Sequence, residues 1–566
     1  MIAFMNAVTD KPGWQYEVLD GDVVDEWRKE LAVEVHEDRR RELADPECRS
    51  SRRLDSSFSG KMFIYCLNEL ADYATLCREQ GFVPALDATA TVYKADTMLD
   101  AEVIASLQAA VEMLENDPTA DPNLYTGPRR MVLNLVNPSM FPLMYGRTRI
   151  FPDGGVPLHD CIMYSGKGRV MPDPLDEHEF EDQLDASEEA CALISHLEGF
   201  RLEYSSQFQW LPTEVALRAN GSVKIVSYIN NLHPEKHKDL YKIVEKAIAK
   251  AIPMFNATLS PCATRTHLAG SRVLILETAE WSLSPGNYQD RKHSPPTDRV
   301  RTDPALVKSM GIPARPSQPT SFESGVVDLL RDFRGQNLQV VVKLSNICLT
   351  PQTPIYDRGK WRIEGQLNDH ICACALYYYD CENIANARLA FRESMDRDKL
   401  RTLRQQFDWE PLLELYDVER HGTASQELGE VLVKEGRLVV FPNVLQHSTP
   451  PFYLKDGSKP GHCKVLELLL VDPNTRIPST SHVPPQRKDW WSDMVLSLDR
   501  IAKLPPELAQ HVLDSTDDFP IEYDEGRASR LGLTVEHSAF NQVVDAKMTR
   551  EGFTDMESDC SEGSDW

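Results

Sequence analysis

The spacing of apolar positions divides the chain in two. Near the start, DVVDEWRKELAVEV sets Trp27, Leu31 and Val35 on one stripe, and GKMFIYCLNELADYATL does the same with Phe63, Leu67, Leu70 and Ala74. DAEVIASLQAAVEMLE repeats the pattern through Val103, Leu107, Val111 and Leu114. A period of three to four residues predicts helices with one apolar face. EVALRANGSVKIVSYI then switches to two β-rich runs about Asn220-Gly221, the strongest short-range hairpin signal. HKDLYKIVEKAIAKAI returns to helical spacing through Leu240, Val244 and Ile248, and Pro253 is expected to limit that helix.

From about residue 337 the period becomes two. LQVVVKLSNICL, ICACALYYYD, GEVLV, GRLVVFP and CKVLELLLVD read as strands separated by turns. Helical spacing resumes after Trp491 in LSLDRIAKLPPELAQHVL. The expected fold is therefore α+β, with a helical and mixed N-terminal region over 1–270 packed on a core at 337–492 and C-terminal helices over 493–550. Residues 283–322, rich in Pro, Ser, Asp and Arg, read as a surface insertion, and 551–566 as an acidic tail.

Composition narrows the partners. Asp and Glu outnumber Lys and Arg by 87 to 61, a net charge of −26, which repels phosphate backbones and anionic membranes. Neither nucleic acid nor membrane is an expected partner. The start, MIAFMNAVTDKPGW, has no basic leader, and the twelve cysteines show no C-x-x-C spacing, so an intracellular, cytoplasmic setting is expected. Cys372 and Cys374 alternate as strand residues do and are expected to share one face. No P-loop, dinucleotide-binding or nucleophile-elbow motif is present.

Candidate chemistry centres on WRIEGQLNDH. Arg362 and Glu364 share one face of an extended segment, and GRLVVFPNVLQHSTPPF later supplies His447. An early carboxylate and a late histidine on a barrel of antiparallel strands is the layout of non-haem iron oxygenases, whose face of two histidines and one carboxylate leaves positions open. The last strand is where a cation would pair with 2-oxoglutarate.

The stretches VTDKPGW, NPSMFPLMYGRTRI, FQWLPTEV, SYINNLHP, WRIEGQLNDHICACALYYYDCENI, FPNVLQHSTPPF, KPGHCKVLELLLVDPNTRIPST and VPPQRKDWW closely resemble the fungal family DUF4246, over nearly the whole chain. The resemblance implies a double-stranded β-helix (jelly-roll or cupin-like) core similar to oxygenases that use Fe(II) and 2-oxoglutarate. Two departures stand out. The family pattern has His at the position of Arg362 and Arg at that of Cys463, nine residues before Asp472. Guanidinium has no lone pair for a metal, so Glu364 and His447 remain as ligands, with His370 as a substitute if a bulge turns it inward. Lys464 neighbours the missing co-substrate anchor, although strand alternation turns it to the opposite face. Tyr356, Tyr377 and Tyr379 are candidates to line the pocket, with Tyr378 facing away. Structural roles are expected for Arg147 and His233. Three readings follow: an oxygenase-like enzyme acting on a small molecule, as the resemblance implies; a degenerate or non-redox protein that binds a small anion through Arg362, with His447 titrating near neutral pH; and an interaction scaffold using 283–322 and the tail.

Overall fold

The computed structural model describes residues 1–31, 60–88, 90–116, 125–126, 131–172, 203–263, 327–394, 425–516 and 519–549. The proposed insertion at 283–322, Val35 and the tail at 551–566 lie outside the described residues.

Helices α1 (Ile2–Val8) and α2 (Gly60–Gln80) precede strands β1 (Val83–Asp87) and β2 (Thr91–Ala95). Then come α3 (Ala101–Glu115), β3 (Val132–Val136), the hairpin β4 (Thr213–Leu217) and β5 (Val223–Ile225), and α4 (Lys238–Ala263). The second half contains β6 (Asn337–Leu349), β7 (Ile371–Glu382), β8 (Arg388–Ser394) and β9 (Ser425–Leu432). It continues through β10 (Arg437–Pro442), β11 (Gln446–Ser448) and β12 (Gly461–Val471). Helices α5 (Lys488–Ser497), α6 (Pro506–Asp514) and α7 (Tyr523–Thr549) end it.

The architecture mixes helices with antiparallel sheets. The main sheet runs β1-β2-β10-β7-β12-β6-β3, and β4 shares the free edge of β6 with β3. A smaller sheet, β9-β8-β11, is also antiparallel. Each face of the main sheet buries its own core. On one face Ala373, Ala375, Tyr377, Tyr379, Leu466, Leu468 and Leu470 pack against α3 and α4. On the other, Cys374, Leu376, Tyr378, Val439, Phe441, Val465 and Leu469 meet Leu389, Phe391 and Val431 of the smaller sheet. Burial of each such Leu, Val or Phe contributes about 1.5–3 kcal/mol, so this inner core offsets the cost of polar groups placed inside it.

Several sequence expectations change. Helix α4 does not stop at Pro253 but runs on to residue 263. Pro253 is exposed while Ile252, Met254 and Phe255 are buried, so the carbonyl that the proline leaves without a donor can turn to water and the apolar face holds the helix together. Cys372 and Cys374 do not share a face: a register shift between Ile371 and Ala373 puts Cys372 against the helix-side core and Cys374 inside. From Cys374 the alternation runs inward through Leu376 and Tyr378, so it is Tyr378, not Tyr377 or Tyr379, that faces the interior. Among the described residues no helix is long and apolar enough to cross a membrane.

Candidate functional site

Apolar side chains dominate the part of the inner face that meets the smaller sheet, and one charged rung stands beside them. Lys343 on β6 stands directly opposite Glu467 on β12, and Ser345 follows on the same face. Lys343 Nζ lies 2.9 Å from Glu467 Oε2 and 2.9 Å from Glu364 Oε2. Ser345 Oγ donates to Glu467 Oε1 at 3.3 Å.

Glu364 reaches this rung because its own segment is pinned from both sides. Asn443, in the turn after β10, accepts from Glu364 N at 2.9 Å and donates to the carbonyls of Glu364 (2.8 Å) and Ile371 (3.1 Å). Gly365 follows at φ +73°, where a Cβ would stand 3.0 Å from Asp369, so only glycine turns the chain here without strain. Arg362 and His447 exchange backbone hydrogen bonds, Arg362 N to His447 O at 3.0 Å and His447 N to Arg362 O at 2.9 Å. That bridge, with β11 paired to β8, sets the His447 ring beside Phe441 and brings Nε2 to 3.3 Å from Glu364 Oε1.

The electrostatics follow from this packing. Burial alone would raise the Glu364 carboxyl, but Lys343, Arg362 and His447 hold it well below the usual range. Burial opposes the charge on Lys343, and Glu364 with Glu467 overcomes it and raises the ammonium. Arg362 Nε donates to Glu364 Oε1 at 2.9 Å, yet 37% of its side chain is exposed. Burial and then Arg362 push His447 down, against the pull of Glu364, so it is neutral at neutral pH rather than poised to titrate there. Both its ring nitrogens are buried and without an aligned hydrogen bond; the 3.3 Å approach to Glu364 is an electrostatic contact.

The residues do not fit an iron centre. A face of two histidines and one carboxylate needs three lone pairs aimed at one point. Here each Glu364 oxygen is already engaged by a fixed cation that would repel a metal ion, Arg362 offers no lone pair, and among the described residues His447 is the one histidine that contacts the carboxylate. Among the described residues no three His, Cys, Asp or Glu side chains are grouped to hold a metal ion. His370, expected as a substitute, instead closes a 3-10 turn at φ 48°, with its carbonyl accepting from Asp472 N. Among the described residues its ring makes no hydrogen bond or ion pair with Glu364 or His447.

The expected co-substrate residues separate as well. Cys463 faces the interior in contact with Cys381, and Lys464 points out to Glu115 (3.0 Å) and Asp380 (3.1 Å). Tyr377 lies on the helix side. Tyr356 stacks on Phe452, with its phenol in the field of Arg362. Arg147 forms a bidentate pair with Glu525 of α7 (3.0 and 3.2 Å). His233 Nδ1 accepts from Glu235 N and Lys236 N while its ring packs on Trp490.

Sequence reasoning missed Lys343, Glu467 and Asn443. The available signal was one charge inside each of two apolar runs, VVVKL and VLELLL. Helix α7 falls within the C-terminal helices expected over 493–550, but nothing in the sequence signalled that it crosses the site: Ile363 N donates to Asn541 Oδ1 at 2.9 Å, and the His537 ring packs edge-on against Trp210 at 4.8 Å. Trp210 in turn lies under Lys343 Nζ, 5.8 Å from the ring centre.

Burial pushes His537 down to about 4, with Lys343 adding to it and Glu364 opposing. Burial raises Asp369, 3.9 Å away, to about 6, against its hydrogen bonds from Gln366 N and Trp210 N. Between pH 4 and 6.5 the unfolded chain binds more protons at His537, so this residue makes stability rise with pH; Asp369 works the other way up to pH 6. A His537→Phe variant keeps the stack on Trp210 and should lose roughly 1–3 kcal/mol less than the parent on acidification across that window. Urea midpoints at both ends of the window measure it, and equal losses in the two proteins would contradict the assignment.

No curated protein matches the chain significantly. Weak likenesses to solved structures include IDO from Bacillus thuringiensis (10% identity, 24% of this chain and 47% of that one, TM-score 0.15). Others are the Fe(II)/(alpha)ketoglutarate-dependent dioxygenase TqaL (11%, 30% and 52%, 0.17) and EvdO2 from Micromonospora carbonacea var. aurantiaca (12%, 25% and 56%, 0.14). The chain spans about half the length of these structures, and TM-scores this low carry no argument. The family described as "Protein of unknown function (DUF4246)" matches residues 60–494, leaving α7 outside, and its N-terminal domain matches residues 1–30. By a match over most of its length, this chain belongs to the DUF4246 family.

Proposed function

We propose that this rung is the floor of a metal-independent pocket for a small anionic molecule, built on an oxygenase-like, distorted double-stranded β-helix. One observation carries the reading: both oxygens of Glu364 are engaged by cations of the chain itself, and one of those cations, Arg362, keeps an exposed guanidinium edge. A carboxylate or phosphate group on a ligand would meet that edge in the geometry guanidinium favours. Tyr356 and Tyr378 would border the ligand on either side. Acid–base chemistry suits such a pocket better than redox chemistry. Neutral His447 would accept a proton, and the Glu364 carboxylate beside it would stabilise the imidazolium that forms. The interaction-scaffold reading draws no support from the described residues, because the segments it needs lie outside them.

Calorimetric titration with a panel of small carboxylates, 2-oxoglutarate among them, and inorganic phosphate, all in chelator, tests this. At least one member of the panel is expected to bind. Arg362→Gln should weaken that binding by about 10- to 100-fold, the range for one charge-assisted contact. Binding that survives the substitution unchanged, or no binding by any member of the panel, would overturn the proposal.

A further inference from the structure

Cys381 and Cys463 stand directly opposite one another on β7 and β12, with their sulphurs 3.7 Å apart. A regular strand would not place them so. Counting in twos from inward-facing Tyr378, the next inward residue would be Asp380, and Cys381 would face the helices. The register shift between Tyr378 and Asp380 inserts one residue, and Cys381 turns to the interior beside Cys463. Asp380 is thereby released to the other face, where it pairs with His462 at 2.8 Å and Lys464 at 3.1 Å. The bulge is thus anchored by ion pairs on one face and presents two thiols to each other on the other.

Opposed residues on antiparallel strands have Cα atoms about 4.5–5.5 Å apart, inside the range that a disulfide spans. The sulphurs need to close by less than about 2 Å, a displacement within reach of χ1 rotation. The two thiols also differ in access. Cys463 is 4% exposed, whereas Cys381 is only half-buried, next to exposed Glu382.

We infer that Cys381 and Cys463 form an oxidisable dithiol, a modification site in which a peroxide or a small disulfide cross-links β7 to β12. With hydrogen peroxide, the Cys381 sulphur attacks one oxygen, the O–O bond breaks, and water leaves as a sulfenic acid forms on Cys381. The Cys463 sulphur then attacks Cys381, the S–O bond breaks, and a second water carries away the hydroxyl with the thiol proton. Two thiols are oxidised and one peroxide is reduced to two waters. With a small disulfide, Cys381 first forms a mixed disulfide and Cys463 displaces the small thiol. The cross-link would fix the rung beside the Tyr378–Val465 pair, at the edge of the pocket.

The test treats the full native chain with hydrogen peroxide or with glutathione disulfide, alkylates the remaining thiols and maps peptides without reduction. The expected result is a linked Cys381–Cys463 peptide with the loss of two alkylatable thiols per chain, reversed by dithiothreitol. Cys463→Ser should abolish the linked peptide and leave Cys381 oxidised or capped by glutathione. Recovery of both cysteines as free thiols, when other cysteines of the same chain have reacted, would overturn the inference. So would Cys381 over-oxidised or capped while Cys463 stays free in the natural chain.

Discussion

Replacing Lys343 with methionine is expected to destabilise the protein by about 3–5 kcal/mol, because removing one partner of a buried charge cluster leaves the others uncompensated. Lys343 touches two carboxylates, each exposing 6% or less of its side chain. Without it, among the described residues Glu467 keeps a hydrogen bond from the hydroxyl of Ser345 and Glu364 keeps its pairing with Arg362. Methionine keeps most of the volume, so the loss reports charge rather than a cavity. Adding Glu467→Gln to Lys343→Met should recover part of the loss, which a packing defect would not allow. The pH dependence has a definite sign. Glu364 is depressed in the folded state, so its contribution is fully present above the unfolded carboxylate value and disappears as pH falls through the folded one. Urea midpoints of the three proteins at neutral pH measure the effect; a Lys343→Met loss under about 1 kcal/mol would show that the cluster carries little energy.

Arg437→Met is expected to cost a similar amount, about 3–5 kcal/mol, for a different architectural reason. This side chain is fully buried and holds three separate parts of the fold together. Its Nε and Nη2 donate to Asp96 at 2.7 and 2.9 Å, just beyond β2. Its Nη1 lies 2.8 Å from Asp10, in the segment after α1, and donates to Leu432 O at 2.9 Å at the end of β9. Asp10 also receives Lys94 at 2.6 Å, so the N-terminal segment is docked on the sheet by two buried cations. Losing Arg437 should therefore raise proteolysis in the first residues before global unfolding. A variant with parental stability and an unchanged cleavage pattern would contradict that role.

How far the sequence carries this account can be judged residue by residue. The apolar period located the long helices and strands because burial on one face is what makes them stable, as Leu107, Val111, Val244 and Ile248 show. The Asn220-Gly221 turn was legible because few residues accept the backbone it needs; Gly221 sits at φ +79°. The pairing of Glu364 with His447 could be anticipated from the order of strands, and the structure places them 3.3 Å apart. What alternation could not reveal are its own interruptions. Bulges near Cys372 and Asp380 reverse the faces of the tyrosines and bring Cys381 to Cys463. Nor does a lone charge in an apolar run disclose its partner: Lys343 and Glu467 lie more than a hundred residues apart and meet only because β6 pairs with β12 in one register.

An anaerobic Fe(II) titration tests most directly the proposal that the pocket is metal-independent, its Glu364 carboxylate held by cations of the chain itself. The natural protein and Arg362→His are titrated side by side and the bound iron per chain is counted. The account predicts no stoichiometric iron on the natural protein, because both oxygens of Glu364 are taken by Lys343 and Arg362. It predicts tighter binding in the histidine variant, which exchanges one of those cations for a ligand. One tightly bound iron per natural chain would contradict it.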